Sequence, residues 1–109
     1  MANRHRGEVE AVLDGRRYVL CLTLGSLAEL EAALAAGDLM GLATRFAAGR
    51  LSAADAIRII GAGLRGAGNA VDDEAVARMQ AEGGAAGFVA IVGDLLAATF
   101  GSGEGDHAR

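Results

Sequence analysis

Glu8-Val9-Glu10-Ala11-Val12-Leu13-Asp14-Gly15-Arg16-Arg17-Tyr18-Val19-Leu20-Cys21-Leu22-Thr23-Leu24 is the stretch that decides the fold. Successive side chains of a strand point to opposite faces, so residues two apart share one face. Val9, Ala11 and Leu13 make one apolar row; Tyr18, Leu20, Leu22 and Leu24 make another. Asp14-Gly15 separates them. Both residues tolerate the positive φ that a two-residue hairpin turn requires. The stretch predicts a β-hairpin with strands over 8–13 and 17–24.

Beyond Leu24 the apolar period changes from two to the helical value. Ser26-Leu27-Ala28-Glu29 has capping-box spacing, and Leu27, Leu30 and Leu34 follow as one stripe before Gly37. Asp38 is placed to cap a second helix with Leu39, Leu42 and Phe46 inward, ended by Gly49. Ser52-Ala53-Ala54-Asp55 opens a third, with Ile57, Ile60 and Leu64 on its stripe and Gly66-Ala67-Gly68 at its end. Asp72 caps a fourth, with Asp73 and Glu74 in the dipole-favoured first turn, Val76 and Met79 inward, and Gly83-Gly84 closing it. The fifth runs from about Ala85, with Phe88, Ile91, Val92, Leu95, Leu96 and Phe100 in the clearest helical pattern of the chain. The expected fold is α+β and mainly helical: an N-terminal β-hairpin followed by about five short α-helices. Residues 8–100 are expected to form one globular domain, flanked by a disordered N-terminus (1–7) and a disordered tail (101–109).

Composition narrows the function classes. The chain has 109 residues, a formal charge of −4 and one Cys. Leu, Ile, Val and Phe number 27, about a quarter of the residues and above the roughly 20% below which chains stay disordered. A thin core is therefore expected. One Cys excludes a disulfide scaffold and a multi-Cys zinc site. The acidic balance disfavours non-specific binding to nucleic acid or an anionic membrane. All ten basic residues are Arg and lie scattered, which reads as base-composition bias rather than a binding patch. The opening Met-Ala-Asn-Arg-His-Arg-Gly carries no apolar run, so no signal peptide is expected and the location expected is cytoplasmic.

No constellation of catalytic or ligating residues emerges. Gly61-Ala62-Gly63-Leu64-Arg65-Gly66 matches the dinucleotide fingerprint by letter, with Glu82 at about the ribose distance. That motif needs a strand before it and a helix opening after it. Here it falls late in the third helix, where close packing and helix termination account for the glycines. His5 and His107 lie near the ends, without a ligand-spaced partner. Cys21 is expected as a buried, inert thiol in its strand. Asp72-Asp73-Glu74 lacks the spacing and glycine of a calcium loop. Residues 83–103 carry one charge, Asp94, and their apolar residues keep to one stripe, so a core helix is expected rather than a membrane span. The expectation is no enzyme, with no catalytic, cofactor-binding or metal-binding residues and no cofactor.

The run Asp14–Glu31 resembles the start of small gene-transfer-agent and phage tail proteins, whose members open "DG-x-x-y-x-L-x-L-t-L-g-a-L-a-e-L-E". Leu51-Ser52-Ala53-Ala54-Asp55, Gly63-Leu64-Arg65-Gly66-Ala67-Gly68 and Val71-Asp72-Asp73-Glu74 resemble its later blocks. The resemblance spans about Gly7 to Phe100. Each block alone is common; their order and spacing are not. That family is grouped with phage tail assembly chaperones, though some labels say tail tube protein, and it has no catalytic residues to carry over.

The resemblance implies a gene-transfer-agent or prophage tail assembly chaperone that binds the tape measure protein, or another tail protein, during tail assembly. The alternative is a structural tail tube subunit retained in the particle. Tube proteins build on extended sheets, and one hairpin alone is legible here, which favours the chaperone. No nucleic-acid or membrane partner is expected, and the chain is expected as a monomer or weak homo-oligomer. The partner-binding surface is unknown from sequence; whatever the core leaves uncovered of the Leu27–Leu34 and Leu39–Phe46 helices is the candidate.

Overall fold

The computed structural model describes residues 6–33 and 39–100. Strands β1 (Glu8–Leu13) and β2 (Arg16–Cys21) form a two-stranded antiparallel sheet. Helices α1 (Leu24–Ala33), α2 (Leu39–Ala47), α3 (Ala53–Gly66), α4 (Asp73–Ala77) and α5 (Gly84–Phe100) follow. The hairpin-then-helices architecture is the one the periodicities predict. Leu34, Gly37 and Asp38, His5 and His107, and the expected tail from Gly101 lie outside the described residues, as do residues 1–5 of the expected N-terminal disorder.

Asp14 and Gly15 close the hairpin with φ of 55° and 76°, both in the left-handed region, so Leu13 pairs with Arg16 and the register runs back to Glu8 against Cys21. That register puts Val9, Ala11, Leu13 and Leu20 on one face, all buried. The face lies on α3 beneath β2 and on α5 beneath β1. Leu13, Leu20, Ile59, Leu64 and Leu95 are fully buried where these layers meet. Burying each such side chain contributes about 2 kcal/mol.

Glycine sets the layer spacing. A Cβ on Gly63 would stand 3.0 Å from a Leu95 methyl carbon and 3.3 Å from Leu20 Cβ. A Cβ on Gly66 would collide with the Cys21 carbonyl and the Ser26 hydroxyl. The sheet and α1 therefore approach α3 at backbone distance.

The outer edges of the hairpin are partly occupied. On β2, the Val19 carbonyl accepts from Asn69 Nδ2 at 3.0 Å. On β1, the chain returning from α4 forms a bridge between Ala81 and Leu13. Asp14 N–H donates to the Gln80 carbonyl at 2.8 Å, and Gln80 N–H donates to Asp14 Oδ1 at 2.9 Å.

Several boundaries differ from the sequence reading, β2 starting at Arg16 rather than Arg17 among them. β2 stops at Cys21, and Leu24 opens α1 with 83% of its surface exposed instead of joining the apolar face. The reason is Thr23, whose Oγ1 accepts from Ser26 N–H at 3.0 Å and so starts the helix early. Ser26 is then inside the helix, where its hydroxyl donates to the Ala62 carbonyl at 3.1 Å, and Glu29 turns to Arg65. The expected Ser26–Glu29 box does not form because both side chains have tertiary partners. α4 ends at Ala77, short of Met79, because residues 80–82 leave to line β1. Cys21 is half-buried rather than buried: Leu20 and Leu22 take the inward face, and Sγ donates to the Arg6 carbonyl at 3.6 Å.

A candidate partner-binding groove

The groove is built from the first half of α3 upward. Ser52 caps that helix: its hydroxyl accepts from Asp55 N–H at 3.1 Å, and Asp55 accepts from Ser52 N–H at 3.3 Å. The reciprocal pair fixes the direction of the first turns and aims Ala56, Ile57 and Ile60 at one side. Asp72 caps α4 through Ala75 N–H at 2.8 Å. Arg65 binds α4 to α3 and α1 by pairing with Asp73, at 3.1 Å, and with Glu29, and by donating to the Val71 carbonyl at 3.0 Å. Partial burial disfavours the Arg65 charge, but the hydrogen bonds and charges of Glu29 and Asp73 outweigh that and raise its pKa above the ordinary arginine value.

Between α3, α4 and α5 lies an open groove of about 390 Å³, with Phe46 of α2 and Leu51 at one side. Ile60, Val76 and Val92 are its buried floor. Ile57, Met79 and Phe88 form half-buried walls, and Val89 stands 57% exposed at the rim. Among the described residues, no charged side chain lines it, and the one hydroxyl there, Ser52, is committed to the α3 cap. Such a surface offers dispersion contact and release of water from apolar carbon, and Met79 adds an adaptable side chain. Its chemistry is that of a receptor for apolar side chains, one face of a helix being the natural shape.

Of the two helices expected to carry contact surface, α2 contributes Phe46 to the groove; Leu30 and Leu42 are core, and Leu27 packs against the core. The groove was not legible because its wall residues come from four elements: the period of each helix marks Phe46, Ile57, Met79 and Phe88 as inward, but not that they stop short of one another.

The glycine motif lies within α3, where Gly61, Gly63 and Gly66 face Asp73, Leu20 and Cys21 in turn. No strand-to-helix turn is present there. Asp72, Asp73 and Glu74 do not converge: the first caps α4, the second pairs with Arg65, and the third reaches Arg78 at 4.0 Å. Among the described residues, no group of three or more His, Cys, Asp or Glu could hold a metal ion. Among the same residues, no helix is long and apolar enough to cross a membrane. Asp94 is exposed and borders a polar recess between β1 and α5.

A family model described as "Phage tail tube protein, GTA-gp10" matches residues 6–102, and the chain belongs to that family. Membership establishes a tail protein of the gene-transfer-agent and phage type, with other tail proteins as its partners. The description fits a tube subunit better than a chaperone. No curated protein and no solved structure matches the chain.

Proposed function

We propose that this tail protein acts in assembly as a chaperone that holds an apolar helical face of another tail protein, the tape measure protein foremost, in the α3–α4–α5 groove. The observation that carries the reading is the groove itself: an open apolar surface with no charged side chain among the described residues that line it. Amphipathic helices dock into such surfaces through anchors at i, i+3, i+4 and i+7. The sheet gives the same direction. It has two strands, its β2 edge is engaged by Asn69, and its β1 edge is engaged near the turn by residues 80–82. Pairing with a neighbouring sheet would use these same edges, and each is in part taken. In this role the protein is a binding module rather than an enzyme, and it works in the cytoplasm before the tail is complete.

The second reading, a tube subunit retained in the particle, is favoured by the family description. Two measurements separate the readings. Mass spectrometry of purified particles should lack a chaperone and contain a tube subunit in many copies. Co-expression with the tape measure protein of the same tail gene cluster should raise that protein's solubility and co-purify the pair. If the long partner is equally soluble alone, the two never co-purify and the particle contains this chain, the tube reading replaces the chaperone.

A further inference from the structure

We propose that the outer edge of β1 over residues 10–12 is a second docking site, which takes a short extended segment of another tail protein, rich in arginine or lysine, as an added strand. The two-residue turn makes Leu13 and Arg16 a hydrogen-bonded pair, and such pairs alternate along an antiparallel ladder. The N–H groups of Ala11 and Leu13 therefore point to β2, and those of Glu10 and Val12 point away from it. Glu82 N–H shows the direction by reaching the Val12 carbonyl from outside at 3.4 Å. Gly83 then turns the chain into α5. Among the described residues, the Val12 N–H and both backbone groups of Glu10 have no partner. An edge in that state is a template for a strand from another chain.

The surroundings of the edge select its occupant. A recess of about 360 Å³ lies between it and α5, lined by the carboxylates of Glu10, Glu82 and Asp94 and by one basic residue, Arg17. All four are exposed, and among the described residues none is in an ion pair. Gly87 and Ala90 keep the α5 side low, which leaves room for long side chains. A second copy of this chain pairing edge to edge would set the same carboxylates against these, and like charges across paired strands repel. A basic segment meets them with opposite charge. α5 turns Phe88 and Val92 to the apolar groove and Gly87, Ala90 and Asp94 to this recess, so the two surfaces are separate and the edge site does not rest on the chaperone reading.

Amide exchange followed by nuclear magnetic resonance, together with peptide binding, tests it on the full chain. In the free protein the Glu10 and Val12 amides should exchange at least about tenfold faster than those of Ala11 and Leu13, which are bonded across the hairpin. An end-blocked peptide alternating arginine and valine should bind and slow the Glu10 and Val12 amides. It should bind at least about tenfold more tightly than its glutamate–valine counterpart, and lose as much affinity when Glu10→Arg and Asp94→Arg are combined, with the melting temperature of the chain little changed. Methylating the peptide's backbone nitrogens should abolish binding, because the added strand then has no donors. A Glu10 amide already slow in the free protein would mean that the chain covers its own edge, and would overturn the proposal. So would a methylated peptide that binds equally well, which would leave charge alone as the attraction. Failure of the arginine peptide to bind would reduce the carboxylates to guards against edge-to-edge association.

Discussion

Gly66 of α3 rests directly on the carbonyl of Cys21, the last residue of β2, leaving no room for a Cβ between helix and strand. At Gly61, one and a half turns earlier, the first atoms a Cβ would meet are the far end of the Asp73 side chain and the Arg65 guanidinium. Gly66→Ala should therefore destabilise by about 1–3 kcal/mol, the usual cost of overpacking against something that cannot move aside. Gly61→Ala should cost well under half of that, because a carboxylate can swing away. Urea denaturation of the two variants checks the order; equal costs would mean that α3 can shift off β2.

Leu95 is fully buried between α3 and the sheet, whereas Val89 on the same helix is largely exposed. Leu95→Ala should lower stability by about 2–5 kcal/mol through lost transfer energy and a residual cavity. Val89→Ala should stay within about 0.5 kcal/mol. A small effect at Leu95 would show that α5 is not core.

Arg65 joins three helices through Glu29, Asp73 and the Val71 carbonyl. Its folded-state pKa is raised, so its stabilisation is fully present below the unfolded pKa and is lost only as the pH climbs through the folded one. Both lie far into the alkaline range. The stability gap between the unaltered protein and Arg65→Met should thus be constant from about pH 6 to 10. Because the group is partly exposed, the gap should be about 1 kcal/mol and narrow in about 1 M salt. Thermal melts across pH and salt read both effects.

The groove rim offers a test of function apart from folding. Val89→Asp puts a charge where a partner's apolar face would sit, at a position that solvent already reaches. The melting temperature should move by no more than about 3 °C, as for other surface changes. Partner capture in co-expression should fall at least about tenfold, since an unpaired charge would be buried on docking. Unchanged capture would move the binding surface elsewhere.

The hairpin was legible because Asp14-Gly15 admits few alternatives and the flanking rows alternate cleanly. α3 and α5 were legible because their buried stripes are long. The start of α1 was misplaced because Ser26 and Glu29 satisfy a local pattern in letters while their side chains are claimed by Ala62 and Arg65. Both contacts cross 36 positions of chain, a distance at which no local rule operates. The end of α4 was overrun for the same reason: Gln80 is claimed by Asp14. The groove stayed hidden because it is a property of four elements at once.

The Asp14–Gln80 tie spans 66 positions, and the inward face of β1 waits for α5, which comes later still. On the ribosome the hairpin emerges ahead of every described helix and is thus among the last of these elements to be sealed. Until α5 leaves the exit tunnel, Val9, Leu13 and Leu20 have no complete cover, and folding must follow synthesis of residues 8–100. A nascent chain arrested before α5 should be open to proteases along its entire length.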